Sequence, residues 1–223
     1  MLHVLHFHSA DEGNRQVPIP NLDDDDLYGS TFLIGPETFM AAALQFCKNE
    51  AHNGTIDIIS VGSGSGNIER RIIREYRRSF GKDLHIILVD PDMNFSADFK
   101  TVEDLIKQLP RLIGHCVLLI IWPLHSDAET DDGYDIDAVR RLQPNAVLAL
   151  YETAGCSGST NFCALLHNDD GLISPTSKLY WREEQYREIR RNLRISSTYS
   201  IVDIAQQKSP VGYYRLVKLI RSE

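Results

Sequence analysis

A glycine-rich turn between an apolar run and a helical pattern constrains this chain more than any other feature. The mostly apolar segment 56–61 is followed directly by Gly62, and Gly64 and Gly66 come after it at alternate positions. Glycine allows positive φ angles and lets a ligand approach the backbone closely. The start of a helix adds unpaired N–H groups and a partial positive charge. The pattern therefore predicts a strand, a tight turn and a helix that together bind a small polar cofactor.

Composition and charge narrow the class of protein. The chain has 223 residues, of which 43% are hydrophobic, so it can bury the core of one large domain. Its formal charge of −8 makes general DNA binding unexpected. It has no signal-peptide pattern and no apolar stretch of about 20 residues for a membrane helix. Its four cysteines form no C-x-x-C pair. We expect a cytoplasmic protein in a reducing compartment, without a membrane.

Strand and helix patterns alternate along the chain. Strand patterns occupy 4–7, 56–61, 85–89, 99–100, 116–122, 146–151, 195–204 and 213–220, and helical patterns occupy 36–53, 68–80, 102–109, 135–142, 162–166 and 180–192. Alternation of this kind predicts an α/β fold with a parallel sheet. The last two strands are separated by a short connector that contains Pro210 and Gly212, which predicts an antiparallel hairpin.

The spacing G-x-G-x-G at Gly62, Gly64 and Gly66, together with the terminal hairpin, resembles class I S-adenosylmethionine-dependent methyltransferases over residues 56–220. The resemblance implies a Rossmann-like, doubly wound, mostly parallel seven-stranded sheet with a C-terminal antiparallel β-hairpin. It implies S-adenosylmethionine as cofactor and methyl transfer to an acceptor, which is left open between a small molecule, a protein and RNA. We expect one methyltransferase-like domain over 1–223, with an N-terminal cap or substrate segment (1–54) and a Rossmann-like core (55–223).

The resemblance also assigns cofactor-binding residues. It places the methionine part of the cofactor against the turn, which consists of Gly62, Ser63, Gly64, Ser65 and Gly66. It places the ribose against Asp90, which follows the next strand, because a carboxylate can accept hydrogen bonds from both hydroxyls of a cis-diol. Pro91 and Asp92 complete this group, and Asp92 is a second candidate for the ribose. The alternative for Asp90 is a helix cap or a solvated turn.

One position departs from the family pattern. The family often carries an acidic residue two places before the first glycine, where this chain has Ser60. A hydroxyl cannot pair with an ammonium group as a charge. Glu69 is a candidate to compensate, and the alternative is that it only complements the dipole of its helix.

Candidates for the side of the site where methyl transfer would take place, the reaction side, lie at the ends of the predicted strands 116–122 and 146–151. Trp122, Pro123 and His125 follow one strand and Glu152 ends the next, so the parallel arrangement brings them to one crevice. Trp122 is a stacking candidate, and His125 and Glu152 are acid–base candidates. Trp122 could equally pack in the core, and Glu152 could bond to the loop backbone. The [Asp/Asn/Ser]-Pro-Pro-aromatic motif of amino-group methyltransferases is absent, so we do not expect N6-adenine methylation.

Other polar features suggest simpler roles. His3, His6 and His8 lack partners for a zinc site, so we expect no metal. The acidic run 23–26 is expected to be a solvated loop, unless it binds a cation or a basic partner. Tyr28 and Phe32 are candidates for substrate contact. The arginines of the helix after the glycine turn are expected to form a solvated face, and they are Arg70, Arg71, Arg74, Arg77 and Arg78.

Two rival functions stay open. The first is a methyltransferase fold that has lost catalysis and serves as a binding or scaffold protein, which Ser60 and the absent motif favour. The second is an NAD(P)-dependent oxidoreductase. Dinucleotide-binding turns carry Gly or Ala at the sixth position of G-x-G-x-x-G, where this chain has Asn67. That difference and the terminal hairpin disfavour the oxidoreductase.

Overall fold

The computed structural model describes residues 34–50, 56–92, 94–121, 123, 132–152, 157–167, 180–208 and 213–222. The predicted strand at 4–7 lies outside this part. The helices described are α1 (Pro36–Glu50), α2 (Asn67–Phe80), α3 (Val102–Gln108), α4 (Tyr134–Leu142), α5 (Thr160–Leu165) and α6 (Tyr180–Asn192). The strands described are β1 (Asp57–Val61), β2 (Ile86–Val89), β3 (Cys116–Ile121), β4 (Ala146–Glu152), β5 (Tyr199–Lys208) and β6 (Tyr213–Arg221).

The strands form a single mixed sheet in the order β2-β1-β3-β4-β6-β5. The first four strands in this order are parallel, and β6 runs antiparallel between β4 and β5. This is the Rossmann-like, mostly parallel sheet with a C-terminal antiparallel hairpin that the sequence predicted. Since parallel strands end at the same edge, Val61, Val89, Ile121 and Glu152 bring the following loops together there.

The sheet has six strands in the described part of the chain rather than the seven expected. The segment predicted as a further strand makes only an isolated parallel bridge, between Phe99 and Val89. Next to it, the carboxylate of Asp98 accepts the N–H of Leu88 at 2.8 Å, so a side chain replaces part of the strand ladder. Because Thr101 already caps α3, too few residues are left for a full strand.

The core lies on both faces of the sheet. Helices α1 and α2 cover one face, with Phe39, Leu44 and Ile72 among the buried residues, and the later helices cover the other. All six residues of β3 are buried, and this strand lies inside the sheet between β1 and β4. Cys47, Cys116 and Cys163 are buried free thiols. In the described part of the chain, no helix has the length and apolarity that a membrane span requires.

Most element ends agree with the sequence patterns, and two differ for local reasons. Helix α3 begins where predicted, at Val102, and Thr101 caps it, since Thr101 Oγ1 accepts the N–H of Asp104 at 3.0 Å. Helix α2 begins one residue earlier than predicted, at Asn67. Gly66 is its capping residue, and Asn67 Oδ1 accepts a hydrogen bond from Arg70. Strand β5 begins four residues later than predicted because a 3₁₀ helix occupies Arg194–Thr198.

Candidate cofactor site

The turn between β1 and α2 is held in a conformation that needs its glycines. Gly62, Gly64 and Gly66 all have positive φ angles, of 73°, 54° and 72°. The N–H of Gly62 donates to the carbonyl of Val89 at 2.8 Å, which ties the turn to the end of β2. The turn therefore lies at the carboxyl edge of the sheet, next to the residues that follow β2.

The surroundings of the turn differ between its glycines. A Cβ atom on Gly62 would lie 2.6 Å from the hydroxyl of Tyr134, so the first glycine is covered by the start of α4. A Cβ on Gly64 would have as its nearest neighbour an atom of Phe95 at 3.9 Å. Among the described residues, space for a ligand is therefore available beside Gly64 rather than beside Gly62.

Asp90 lies at this turn, in contact with the backbone of the glycine run. Its side chain is 5% exposed. Its Oδ2 accepts the N–H of Gly64 at 2.6 Å, and its Oδ1 accepts the N–H of Asp92 at 2.9 Å. Because each carboxylate oxygen has two acceptor positions, both oxygens keep one for a further donor.

The structure places Glu69 against Ser60, the position at which the family pattern has an acid. The hydroxyl of Ser60 donates to Glu69 Oε1 at 2.6 Å, and both residues are buried. Burial raises the pKa of the Glu69 carboxyl, and the hydrogen bonds from Ser60 and from its own backbone oppose this rise. The charge of Arg70 also opposes it, and the charge of Asp90 adds to it. Within the part of the chain that the structure describes, Glu69 Oε2 is buried without a hydrogen-bond partner.

The other predicted residues of the turn and of the β2 loop differ in exposure. Ser63 Oγ is a second buried polar atom without a partner. Ser65, Pro91 and Asp92 are exposed. The carbonyl of Ser65 accepts a hydrogen bond from Arg70 at 2.8 Å. Asp92 Oδ1 accepts the backbone N–H of Asn94 at 2.8 Å.

The candidates for the reaction side are described only in part. Trp122 and His125 lie outside the described residues, as do Tyr28 and Phe32. Glu152 is the last residue of β4, and its backbone pairs with Tyr214 of β6. Pro123 is buried, and its carbonyl accepts the N–H of Gly158 at 2.7 Å. The loops after β3 and β4 are therefore joined at this point.

Sequence reasoning missed Asp135, which fixes the same loops. Asp135 is 1% exposed, and its carboxylate accepts the N–H and the hydroxyl of Ser159, each at 2.7 Å, and the N–H of Ile136. Burial raises the pKa of its carboxyl, against the hydrogen bonds from Ser159. An acid in the first turn of a predicted helix was visible in the sequence. Its partner lies 24 residues away, which helix patterns do not specify.

The site thus combines an open glycine turn, two carboxylates and two buried polar atoms without partners. Donors from a ligand would satisfy the free acceptor positions of Asp90 and Glu69. A cation would be favoured over an anion, since both carboxylates lie within electrostatic range of each other. The residues present therefore fit a cofactor with hydroxyl groups and a positive charge. Within the described ranges, no group of His, Cys, Asp and Glu could hold a metal ion, and His3, His6 and His8 lie outside them.

Comparison with known proteins gives similarity in structure only. No protein-family model and no curated protein matches the chain. A proposed RNA methyltransferase of Pyrococcus horikoshii has 11% identity and a TM-score of 0.41, with 91% of this chain and 92% of that chain covered. The trans-methyltransferase CalH, solved with SAH, has 12% identity and a TM-score of 0.44, with 82% of this chain covered. This chain spans 55% of the length of CalH.

A third solved structure with a similar arrangement is the magnesium protoporphyrin IX methyltransferase of Synechocystis with bound SAM. It has 9% identity and a TM-score of 0.41, with 83% of this chain and 80% of that chain covered. All three similarities are low, so the fold class rests on the strand order and directions of this chain.

Proposed function

We propose that this protein binds S-adenosylmethionine at the glycine turn and transfers its methyl group to an acceptor. The observation that carries the proposal is the pair of buried carboxylates at the glycine turn, Asp90 bonded to the N–H of Gly64 and Glu69 bonded to the hydroxyl of Ser60. S-adenosylmethionine has an ammonium group, a sulfonium group and a ribose diol. Its charges and donors match the acceptors that the two carboxylates leave available.

Each residue has a separate task in this proposal. The turn from Gly62 to Gly66 lets the methionine part of the cofactor approach the backbone. Asp90 accepts the ribose hydroxyls while it keeps its bond to the N–H of Gly64. Glu69 pairs with a positive group of the cofactor through Oε2, and Ser60 orients it through Oε1.

The bound cofactor would supply an electrophilic methyl group on a positively charged sulfur. The protein then has to align the acceptor with that methyl group and exclude water, which accounts for much of the acceleration in such reactions. Pro123 and the residues around it, with Trp122, His125 and Glu152, form the reaction side in this proposal. The acceptor nucleophile would lose its proton to His125, to Glu152 or to solvent.

The same observation disfavours a dinucleotide. A pyrophosphate against the turn would bring two negative charges next to Asp90 and Glu69, and like charges at short range are destabilising in a partly buried site. An oxidoreductase that uses NAD(P) is therefore the weaker proposal.

Calorimetric titration of the full chain with S-adenosylmethionine, S-adenosylhomocysteine and NAD tests the proposal. We expect binding of the first two and no binding of NAD. Asp90→Ala should weaken binding of S-adenosylmethionine by about 1–3 kcal/mol, the range for loss of hydrogen bonds to a charged group. Asp83→Ala, which removes a carboxylate with a side chain that is 82% exposed, is the matched control and should bind normally.

Two results would contradict the proposal. Binding of NAD in place of S-adenosylmethionine would support the oxidoreductase. Absence of binding for all three ligands would support a scaffold protein without cofactor.

A further inference from the structure

The exposed face of α2 carries positive charge alone. Its exposed residues are Asn67, Arg70, Arg74, Arg77 and Arg78. The two acids of the helix, Glu69 and Glu75, are 3% and 4% exposed and therefore lie beneath this surface. Four of the five arginines that the sequence places on a solvated face are exposed, whereas the fifth, Arg71, is buried with 5% exposure.

The arrangement differs from that of an ordinary solvated helix. Such a face usually mixes both signs at a spacing of three or four residues, which stabilises the helix. Here Arg70 and Arg74, and Arg74 and Arg78, are like charges four residues apart, which is destabilising. Arg77 and Arg78 also complement the C-terminal end of the helix dipole, whereas Arg70 near the N-terminal end opposes it.

The basic face stands out against the charge of the whole molecule. Residues 67–83 contain six basic and three acidic side chains, a net charge of +3. Since the whole chain has a net charge of −8, the residues outside this segment have a net charge of −11. Arg77 forms an ion pair with the exposed Asp83 at 3.1 Å, and Arg74 and Arg78 each lie 3.8 Å from the buried Glu75. The side chains of Arg74, Arg77 and Arg78 are nevertheless 61%, 72% and 69% exposed, so a polyanion can reach their guanidinium groups and compete with these ion pairs.

We propose that this arginine face (Arg70, Arg74, Arg77 and Arg78) binds a short single-stranded stretch of nucleic acid through its phosphodiester backbone. Guanidinium groups suit phosphate because they donate two parallel hydrogen bonds. Arg70 and Arg77 are seven residues apart, so the face is about 10 Å long. That length covers about three phosphates of a stacked strand that keeps the axial rise of one strand of B-DNA, about 3.4 Å per phosphate.

A short strand fits this surface better than other polyanions do. A long duplex would bring further phosphates close to the acidic remainder of the protein. A membrane-binding helix presents apolar side chains beside its basic ones. The apolar residues Ile72 and Tyr76 of α2 are instead buried against the sheet.

The face also reaches the cofactor site. Arg70 contacts the carbonyl of Ser65 in the glycine turn, and the other three arginines lead away from it along the helix. A strand on this face would therefore pass the rim of the site. The binding proposed here does not depend on the identity of the cofactor.

The test is fluorescence anisotropy with the full chain and labelled oligomers of 20 uridines or 20 deoxythymidines, at 50 and 200 mM salt. We expect both oligomers to bind, with a slope of log K against log salt of about −2 to −3, which is about −0.7 for each of three or four phosphates. Arg77→Glu with Arg78→Glu should weaken binding about tenfold or more. Arg77→Lys with Arg78→Lys, which keeps the charge, should retain most of it.

Arg191→Glu with Arg194→Glu is the matched control, because it makes the same charge change at two exposed arginines elsewhere. It should change the affinity less than twofold. Circular dichroism and thermal unfolding verify that each variant folds. If the glutamate variant does not fold, Arg77→Gln with Arg78→Gln removes the same two charges without reversing them and should also weaken binding. Cofactor titration of the same variants should give unchanged affinity.

Four results would overturn the proposal. The first is no oligomer binding at 50 mM salt, and the second is an equal loss in the control variant. The third is arginine-dependent binding to vesicles of phosphatidylserine and phosphatidylcholine without oligomer binding. If the oligomers bind only after Asp23, Asp24, Asp25 and Asp26 are changed to serine, the acidic run of the chain itself covers the arginine face, and the proposal is wrong.

Discussion

Two buried carboxylates at the carboxyl edge of the sheet differ in how completely they are hydrogen-bonded. Glu69 and Asp135 each lie in the first turn of a helix, and burial raises the pKa of both. Asp135 accepts three hydrogen bonds, from Ser159 and from the N–H of Ile136. Glu69 accepts the hydroxyl of Ser60 through Oε1, and its Oε2 has no partner among the described residues.

The difference separates a structural role from a binding role. A fully bonded buried carboxylate fixes the chain segments that donate to it, here the start of α4 and the loop before α5. A buried oxygen without a partner costs free energy in the unliganded protein, and a ligand that donates to it recovers this cost. We therefore assign Asp135 to the framework of the site and Glu69 to the ligand.

Replacement of Asp135 should have the largest effect on stability. Asp135→Ala leaves two buried N–H groups and a hydroxyl without an acceptor, so we expect a loss of about 3 kcal/mol in the free energy of unfolding. Urea unfolding measures it. Asp135→Asn keeps one acceptor oxygen and should lose less. If Asp135→Ala unfolds like the unmodified chain, Asp135 is not part of the framework.

Alanine at two glycines sharpens the same division between framework and open site. Gly62→Ala adds both an unfavourable positive φ and an overlap with Tyr134, so we expect a stability loss of about 2–4 kcal/mol. Gly64→Ala adds only the backbone term, about 1–2 kcal/mol. For Gly64→Ala, we expect the loss in free energy of cofactor binding, measured by titration, to exceed the loss in free energy of unfolding. Equal stability of the two variants would remove Tyr134 as the cover of Gly62.

The pH dependence of stability gives the smallest effect and has a definite sign. The pKa of Glu69 is higher in the folded protein than its ordinary value near 4.5, so its stabilising contribution is complete below that value and is lost as the pH rises through the folded pKa. Glu69→Gln should therefore gain stability over the unmodified chain with rising pH, to a plateau of about 1 kcal/mol. Denaturant unfolding at several pH values measures the difference. A gain that shrinks as the pH rises would contradict the burial of a charged Glu69.

The sequence was sufficient for the parts of the fold that depend on local patterns. The alternation of apolar runs and helical spacing predicted every described α-helix and five of the six described strands within a few residues. The predicted connector 206–212 indicated the hairpin of β5 and β6, although β5 continues to Lys208. The edge next to β2 was not predictable in this way. Whether Phe99 begins a strand depends on Asp98, which takes the N–H of Leu88 in the folded protein.

The candidate site was predictable where the glycine motif and the position of a strand end indicate the same place. Glycine spacing and strand ends located the turn and Asp90 together, and the contact between Asp90 and Gly64 agrees with that placement. The contact between Ser60 and Glu69 was only one of two alternatives, because helix patterns do not determine which way a side chain in the first turn points. The bonds of Asp135 join residues far apart in the sequence, so only the tertiary structure reveals them.

Calorimetric titration of the unmodified chain and of Glu69→Gln with S-adenosylmethionine tests the central claim most directly. We predict micromolar binding by the unmodified chain. We predict at least tenfold weaker binding by Glu69→Gln, because the amide keeps the shape of the side chain and removes its charge. Equal affinity of the two proteins for S-adenosylmethionine would contradict the assignment of Glu69 to a cationic ligand.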